Sequence, residues 1–207
     1  MKAQIREHFP TLTGLNLLPE LRTEIIRKII HFSIALSPAM AYINKPFTVA
    51  FLVIGVLSYT YMEYLRLSGI KVPIISSLTK MSSRPRDTGF VIGPVTLGTG
   101  ALLALLFYPS PAAAIGIYAL AFGDGIASLV GRFFGSHRPE FLLGKSIEGS
   151  FACFVAVLFS AYVVSGSFSV AMIAASTATA VEALPLKDYD NIVIPVIVGF
   201  VVNIALM

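Results

Sequence analysis

Residues 112–130 read AAAIGIYALAFGDGIASLV, and this stretch decides the fold. A helix that crosses a bilayer needs about 20 mostly apolar residues. The stretch meets that length with a single ionisable carboxylate, Asp124, set between two glycines. Working outward, similar apolar runs occupy 25–43, 46–65, 89–108, 147–164, 168–184 and the shorter 192–206. These runs predict an all-α, polytopic integral membrane protein of about seven transmembrane helices. Tyr108-Pro109-Ser110-Pro111 and Ser165-Gly166-Ser167 are connections too short to be domains. The longer loops are 67–88 and 131–145. Residues 1–24 read as a cytoplasmic or interfacial segment without the apolar core of a signal peptide. Residues 25–207 read as one transmembrane domain.

Composition agrees. Apolar residues make up 56 % of the 207 and charged residues 13 %, against roughly 25 % charged in soluble domains. Mean hydropathy is +0.83. Soluble globular and disordered classes are excluded. The lone Cys153 allows no internal disulfide.

Charge orients the spans. With seven crossings, every Lys and Arg except Lys45 falls on one side. The positive-inside rule makes that side cytoplasmic, with the N-terminus. The net charge of +4 therefore reads as orientation, not as nucleic-acid binding. The acids share the pattern: Glu63, Asp124, Glu148, Glu182, Asp188 and Asp190 all fall near cytoplasmic ends. An ion-coupled transporter needs ionisable groups near the midplane, and this pattern argues against one. A single charged layer suits chemistry between a lipid and a soluble, phosphate-bearing molecule.

Four motifs carry that layer. In Gly123-Asp124-Gly125, continuing to Gly131-Arg132, glycines permit close backbone approach. Asp124 can bind Mg²⁺ that also touches substrate phosphate, because Mg²⁺ sites use one or two carboxylates plus phosphate oxygens. Gly144-Lys145-Ser146-Ile147-Glu148 is not a P-loop, since Pro139 stands where that pattern needs glycine and no strand precedes it. Its residue types still suit phosphate: Lys145 as a point charge, the N–H groups of a helix start, and Glu148 as a second metal ligand beside Asp124. Arg27-Lys28-Ile29-Ile30-His31 places basic groups on about one helical turn, able to clasp phosphate. Asp190-Asn191 opens the last run with oxygen ligands. Arg84, in the long loop, is a further phosphate contact.

Together, Arg27-Lys28-x-x-His31, Gly123-Asp124-Gly125-x-Ala127, Gly131-Arg132-x-x-Gly135, Lys145-Ser146-x-Glu148-Gly149-Ser150, Glu182-Ala183 and Asp190-Asn191 resemble the family of CTP-dependent lipid-alcohol kinases. That family includes dolichol kinase, phytol kinase and the CTP-type diacylglycerol kinase. The resemblance runs over about 24–204 in the same motif order. It implies transfer of the γ-phosphoryl group of CTP to a lipid hydroxyl at the cytoplasmic face. Carried over by motif, Arg27, Lys28, Asp124 and Gly131 come first, then Lys145, Glu148, Asp190 and Asn191. With it, Asp124, Lys145, Arg27 and Lys28 are expected to be catalytic. Asp124, Glu148 and Asp190 are expected to hold Mg²⁺. His31, Gly123, Gly125, Gly131, Arg132, Ser146, Arg84 and Asn191 are expected to line the nucleotide. The alternative chemistry is that of a phosphatidate cytidylyltransferase, in which a lipid phosphate attacks the α-phosphorus of CTP. A transporter or lipid scaffold would instead be indifferent to Asp124→Asn. Membrane lipid and the lipid alcohol are the expected partners, with no nucleic acid.

Overall fold

Asn44-Lys45-Pro46 determines how the chain begins to fold. The computed structural model describes residues 27–70, 89–142 and 144–207. Its first helical run, Arg27–Leu67, has 41 residues. Unbroken, it would reach about 60 Å at 1.5 Å per residue, twice a hydrocarbon core of about 30 Å. It breaks at Asn44, whose φ of −153° and ψ of 94° are extended. The Asn44 side chain then caps the next helix: its Oδ1 accepts from the Phe47 N–H at 3.0 Å. The ring of Pro46 is harmless in a first turn, where an N–H has no helical partner. Two helices result, α1 (27–43) and α2 (45–67), as the two separate runs predict.

The other predicted runs are helical too. They form α3 (Gly93–Phe107), α4 (Ala112–Phe133), α5 (Ile147–Ser165), α6 (Phe168–Glu182) and α7 (Asp190–Ala205). No strand occurs among the described residues. Four stretches are long and apolar enough to cross a membrane: Arg27–Leu67, Ala112–Phe133, Ile147–Ser165 and Lys187–Ala205. Helices α3 and α6, at 15 residues each, are apolar but shorter. The chain is an all-helical membrane protein.

Helix α3 starts later than its apolar run for a visible reason. The chain before it is not helical, and its backbone is tied to α2. Val91 N–H donates to Glu63 Oε1 at 3.0 Å. Tyr59 Oη donates to the Val91 carbonyl at 3.1 Å, and Arg66 Nη2 to that of Gly89 at 3.0 Å. Pro94 then sits in the first turn of α3. At the α5–α6 corner, Gly166 adopts φ 66°, the left-handed geometry that glycine tolerates. Ser167 caps α6.

Small residues bring the helices together, as they do where no hydrophobic force acts between spans. Helices α4 and α7 are central: α7 packs on α3, α4 and α6, while α5 packs on α4 and α6. A Cβ on Gly116 would lie 2.5 Å from the Pro195 carbonyl oxygen, so no side chain fits between α4 and α7 there. Ala171, Ala174, Ala175 and Ala178 of α6 are fully buried. Outside, Phe47, Phe51, Ile54, Phe151, Phe159 and Phe168 are exposed. Large apolar side chains around the perimeter suit lipid contact. The segment 1–24 and loop residue Arg84 lie outside the described residues.

Candidate active site

Asp124 ends a wide π-helical turn, Ala119–Asp124, inside α4. Such turns interrupt the regular ladder and recur at functional sites. The flanking glycines let two neighbours close in. A Cβ on Gly123 would stand 2.7 Å from Val157 Cγ2 of α5. One on Gly125 would stand 2.7 Å from the Phe32 ring and 3.3 Å from His31 Cδ2 of α1. The small-residue reading of these glycines and the acidic-site reading are thus one arrangement. The glycines bring α1 and α5 against α4 where the carboxylate projects.

Lys28 and His31, three residues apart, share a face of α1 and meet that carboxylate. His31 Nε2 lies 3.4 Å from Asp124 Oδ2, and Lys28 Nζ 4.0 Å from it. His31 Nε2 also donates to the Leu120 carbonyl at 2.9 Å. A carbonyl only accepts, so that nitrogen carries a proton. Lys28 and His31 are both buried. Arg27 adds its charge to the field at Asp124. Three predicted residues, Lys28, His31 and Asp124, therefore converge, although the whole of α2 and α3 lies between them in sequence.

Lys145 approaches from another side. Gly144 turns at φ 96°, and the Lys145 N–H bonds the Leu142 carbonyl at 2.9 Å. Its ammonium donates to Glu182 Oε1 at 2.6 Å. Burial disfavours the charged ammonium, but bonded Glu182 and the charges of Asp124 and Asp190 outweigh that effect. The Lys145 pKa stands above the ordinary lysine value. Asp190, in the first turn of α7, interacts electrostatically with both Asp124 and Lys145.

Other predicted residues have different placements. Ser146 is the N-cap of α5, its Oγ accepting from the Gly149 N–H at 3.1 Å. The Ile147 N–H donates to the His137 carbonyl. These N–H groups at the helix start, expected to cradle phosphate, already have acceptors. Glu148, expected beside Asp124, turns to the loop instead. Its Oε1 lies 2.7 Å from both Ser136 Oγ and His137 Nδ1 and accepts from the His137 N–H. Gly131 packs on Ser146, where a Cβ would come within 3.0 Å of the hydroxyl. Asn191 joins α7 to α3, donating to Thr96 Oγ1 at 3.0 Å. Arg132 is exposed at the end of α4.

Two groups without a predicted role have clear structural tasks. Arg138 donates to the carbonyls of Gly144 at 2.7 Å and Gly131 at 2.6 Å, closing the loop between α4 and α5. Glu63, fully buried, receives both Arg66 Nε and Nη2. Its signal was present as Glu63-x-x-Arg66, an ion pair at helical spacing in an apolar run.

Comparison with known proteins finds relatives over most of the chain. No family model matches the chain, and no solved structure matches it. Phytol kinase of Synechocystis is 28 % identical over 197 residues, covering 89 % of this chain and 79 % of the relative. The CTP-dependent diacylglycerol kinase 1 of Eremothecium gossypii is 26 % identical over 157 residues, covering 70 % and 47 %. An uncharacterised protein of Rickettsia prowazekii is 30 % identical over 183 residues, covering 82 % and 88 %. A helical membrane protein with a half-buried acid met by bases is the class that fold and site define. Its similarity to proteins named phytol kinase and CTP-dependent diacylglycerol kinase supports the CTP-dependent lipid kinase family.

Proposed function

We propose that this protein transfers the γ-phosphoryl group of CTP to the hydroxyl of a lipid alcohol at the cytoplasmic face of a membrane. The observation that carries the reading is the convergence of Lys28 and His31 on Asp124 at 4.0 and 3.4 Å inside an apolar bundle. A carboxylate in such a place is costly unless it is paired or used. Phosphoryl transfer asks a protein mainly for positioning and charge stabilisation, and these residues supply both. Arg27, Lys28 and Lys145 offset charge on the phosphates. The lipid hydroxyl oxygen bonds the γ-phosphorus, the bridging oxygen leaves with CDP, and the hydroxyl proton passes to a carboxylate of the layer. The lipid enters between helices, and its chain lies against the exposed apolar side chains.

The donor set fits Mg²⁺ brought with the nucleotide. Among the described residues no three His, Cys, Asp or Glu side chains form a metal-binding group on their own. Asp124 with Asp190 in its field suits an ion that uses one or two carboxylates and completes its shell with phosphate and water. When bound, that ion would neutralise phosphate charge. Glu148, engaged by Ser136 and His137, is left out of this reading. Seven spans with a cytoplasmic N-terminus belong to the same proposal, supported by the lysine and arginine distribution.

The test is purified protein with labelled CTP, Mg²⁺ and a panel of diacylglycerol, phytol, geranylgeraniol and polyprenol. CDP plus lipid phosphate is expected. Pyrophosphate plus a CDP-lipid, formed when phosphatidate is supplied, would instead identify a cytidylyltransferase. Consumption of ATP but not CTP would remove the donor assignment. Asp124→Asn should lower kcat by about a hundredfold or more; full activity in that variant would remove the site.

A further inference from the structure

We infer that Glu182 is a positioning residue that holds Lys145 as a stationary charge beside the Asp124 cluster, where the nucleotide phosphates meet it. The inference rests on reading this cluster as a CTP site.

Glu182 occupies the last residue of α6 and is 3 % exposed. Helix polarity does not explain it there. A helix C-terminus carries partial negative charge and favours cations, so a carboxylate in the last turn has the wrong sign. Its stabilisation must come from its partners. Oε1 accepts from Lys145 Nζ at 2.6 Å, and Oε2 from Ser150 Oγ at 3.4 Å. A carboxylate this buried tolerates loss of its counter-charge poorly.

That requirement acts on Lys145 in turn. A lysine ordinarily swings on a flexible four-carbon stem. Here the backbone is fixed by the Gly144 turn and by the bond from the Lys145 N–H to Leu142, and the ammonium is held by Glu182. Swinging away would leave Glu182 buried without its cation. Lys145 therefore works from where it stands, and the phosphates come to it. Asp124 of α4 and Asp190 of α7 also act on its charge, so the ammonium stands amid three acids from three helices. Among the described residues, Glu182 makes the close hydrogen bond to it.

The experiment compares wild type, Glu182→Gln, Lys145→Gln and the double variant, full-length in detergent micelles with CTP, Mg²⁺ and the accepted lipid alcohol. Thermal melting is measured in parallel. Glu182→Gln should raise KM for CTP about tenfold, the scale of a lost hydrogen bond to a charged group, with KM for the lipid unchanged. Lys145→Gln should do the same or more. The double variant should be no worse than Lys145→Gln, because a residue that acts through another has nothing left to act on. Unchanged KM for CTP in Glu182→Gln overturns the role, as does a double variant whose defects multiply. If Glu182→Gln alone does not fold, the double variant decides: recovered folding supports the pair, and continued failure overturns it. A wild type that consumes no CTP with any lipid alcohol overturns the kinase reading and the role together. A working wild type with an indifferent Glu182→Gln overturns the role alone.

Discussion

Gly149→Ala tests whether the close approach of α4 and α5 sets the site. A Cβ at that position would stand 2.8 Å from the Ala127 carbonyl oxygen, 3.1 Å from Ser146 Oγ and 3.2 Å from Gly131 Cα. The first and last of these are backbone, so no side-chain rotation relieves them. Restoring ordinary contact near 3.4 Å requires α4 and α5 to part by about 0.6 Å at this point. Overpacking of this kind costs about 1–3 kcal/mol. Ala127 lies three residues beyond Asp124, and Gly149 lies four beyond Lys145, so the shift falls between the two predicted catalytic groups. A displacement of 1 Å can cost about a hundredfold in rate; for this smaller one we expect about a tenfold loss of kcat. The assay is CTP turnover with lipid alcohol, alongside a melting curve in detergent. Gly55→Ala is the control: a Cβ there meets nothing within 4 Å, and alanine should stabilise α2 by about 0.5–1 kcal/mol without touching turnover. If Gly149→Ala melts and turns over like wild type, the contact does not hold the site. If it melts earlier but keeps full kcat, the contact holds the bundle and not the chemistry.

The same geometry predicts other outcomes. The Lys145–Glu182 pair should be insensitive to pH across the neutral range. Because the folded pKa of Lys145 is raised, its contribution is fully present below about 10.4, the ordinary lysine value, and is lost only as pH rises through the folded value. The melting difference between wild type and Glu182→Gln should therefore hold from neutral pH to mildly alkaline pH and shrink above that; a difference that vanishes near neutral pH would refute the pairing. Glu63→Ala removes the carboxylate partner of Arg66 and leaves the Val91 N–H without its acceptor, and should cost about 1–3 kcal/mol in chemical denaturation; an unchanged midpoint would show that the tie between α2 and α3 carries no load. For topology, cysteines at Lys45 and Ser136 in a Cys153→Ala background should be labelled from opposite faces of sealed vesicles. Labelling from the same face would refute the proposed orientation.

Much of this molecule can be read in the chain because lipid imposes few options on it. Apolar runs must be helices in a bilayer, and Asn44-Lys45-Pro46 carries its own stop and start signals. Gly93-Pro94 signals the start of α3, but the run from Gly89 to Ile92 reads equally as helix. Only the contacts with Tyr59, Glu63 and Arg66 show why it stays outside the helix. The site was legible as residue types, and Lys28, His31 and Asp124 meet. Glu148 shows the limit. One turn into a helix, an acid reads alike whether it faces a neighbour or its own preceding loop. The path of residues 131–145, which has no periodic pattern, turns Glu148 toward Ser136 and His137. The π turn was likewise silent, since nothing local in Ala119–Asp124 distinguishes a wide turn from a regular one.

That turn gives α4 two facings. Its first part, Ala112–Tyr118, packs chiefly on α7, and its last part, Gly125–Phe133, packs on α5. A π turn works as a one-residue insertion, and each residue of a helix rotates the chain by about 100°. Here the wide turn takes up that extra residue at Asp124. The helix behaves as two rods coupled by an offset, one seated in the bundle and one aimed at the loop that brings Lys145. Deleting a single residue between Ala119 and Gly123 would leave composition, length and hydropathy almost unchanged. It would also remove the wide turn that ends at Asp124. The register of the molecule therefore depends on one residue of slack, and the only acid in the long apolar stretch is placed where that slack is taken up.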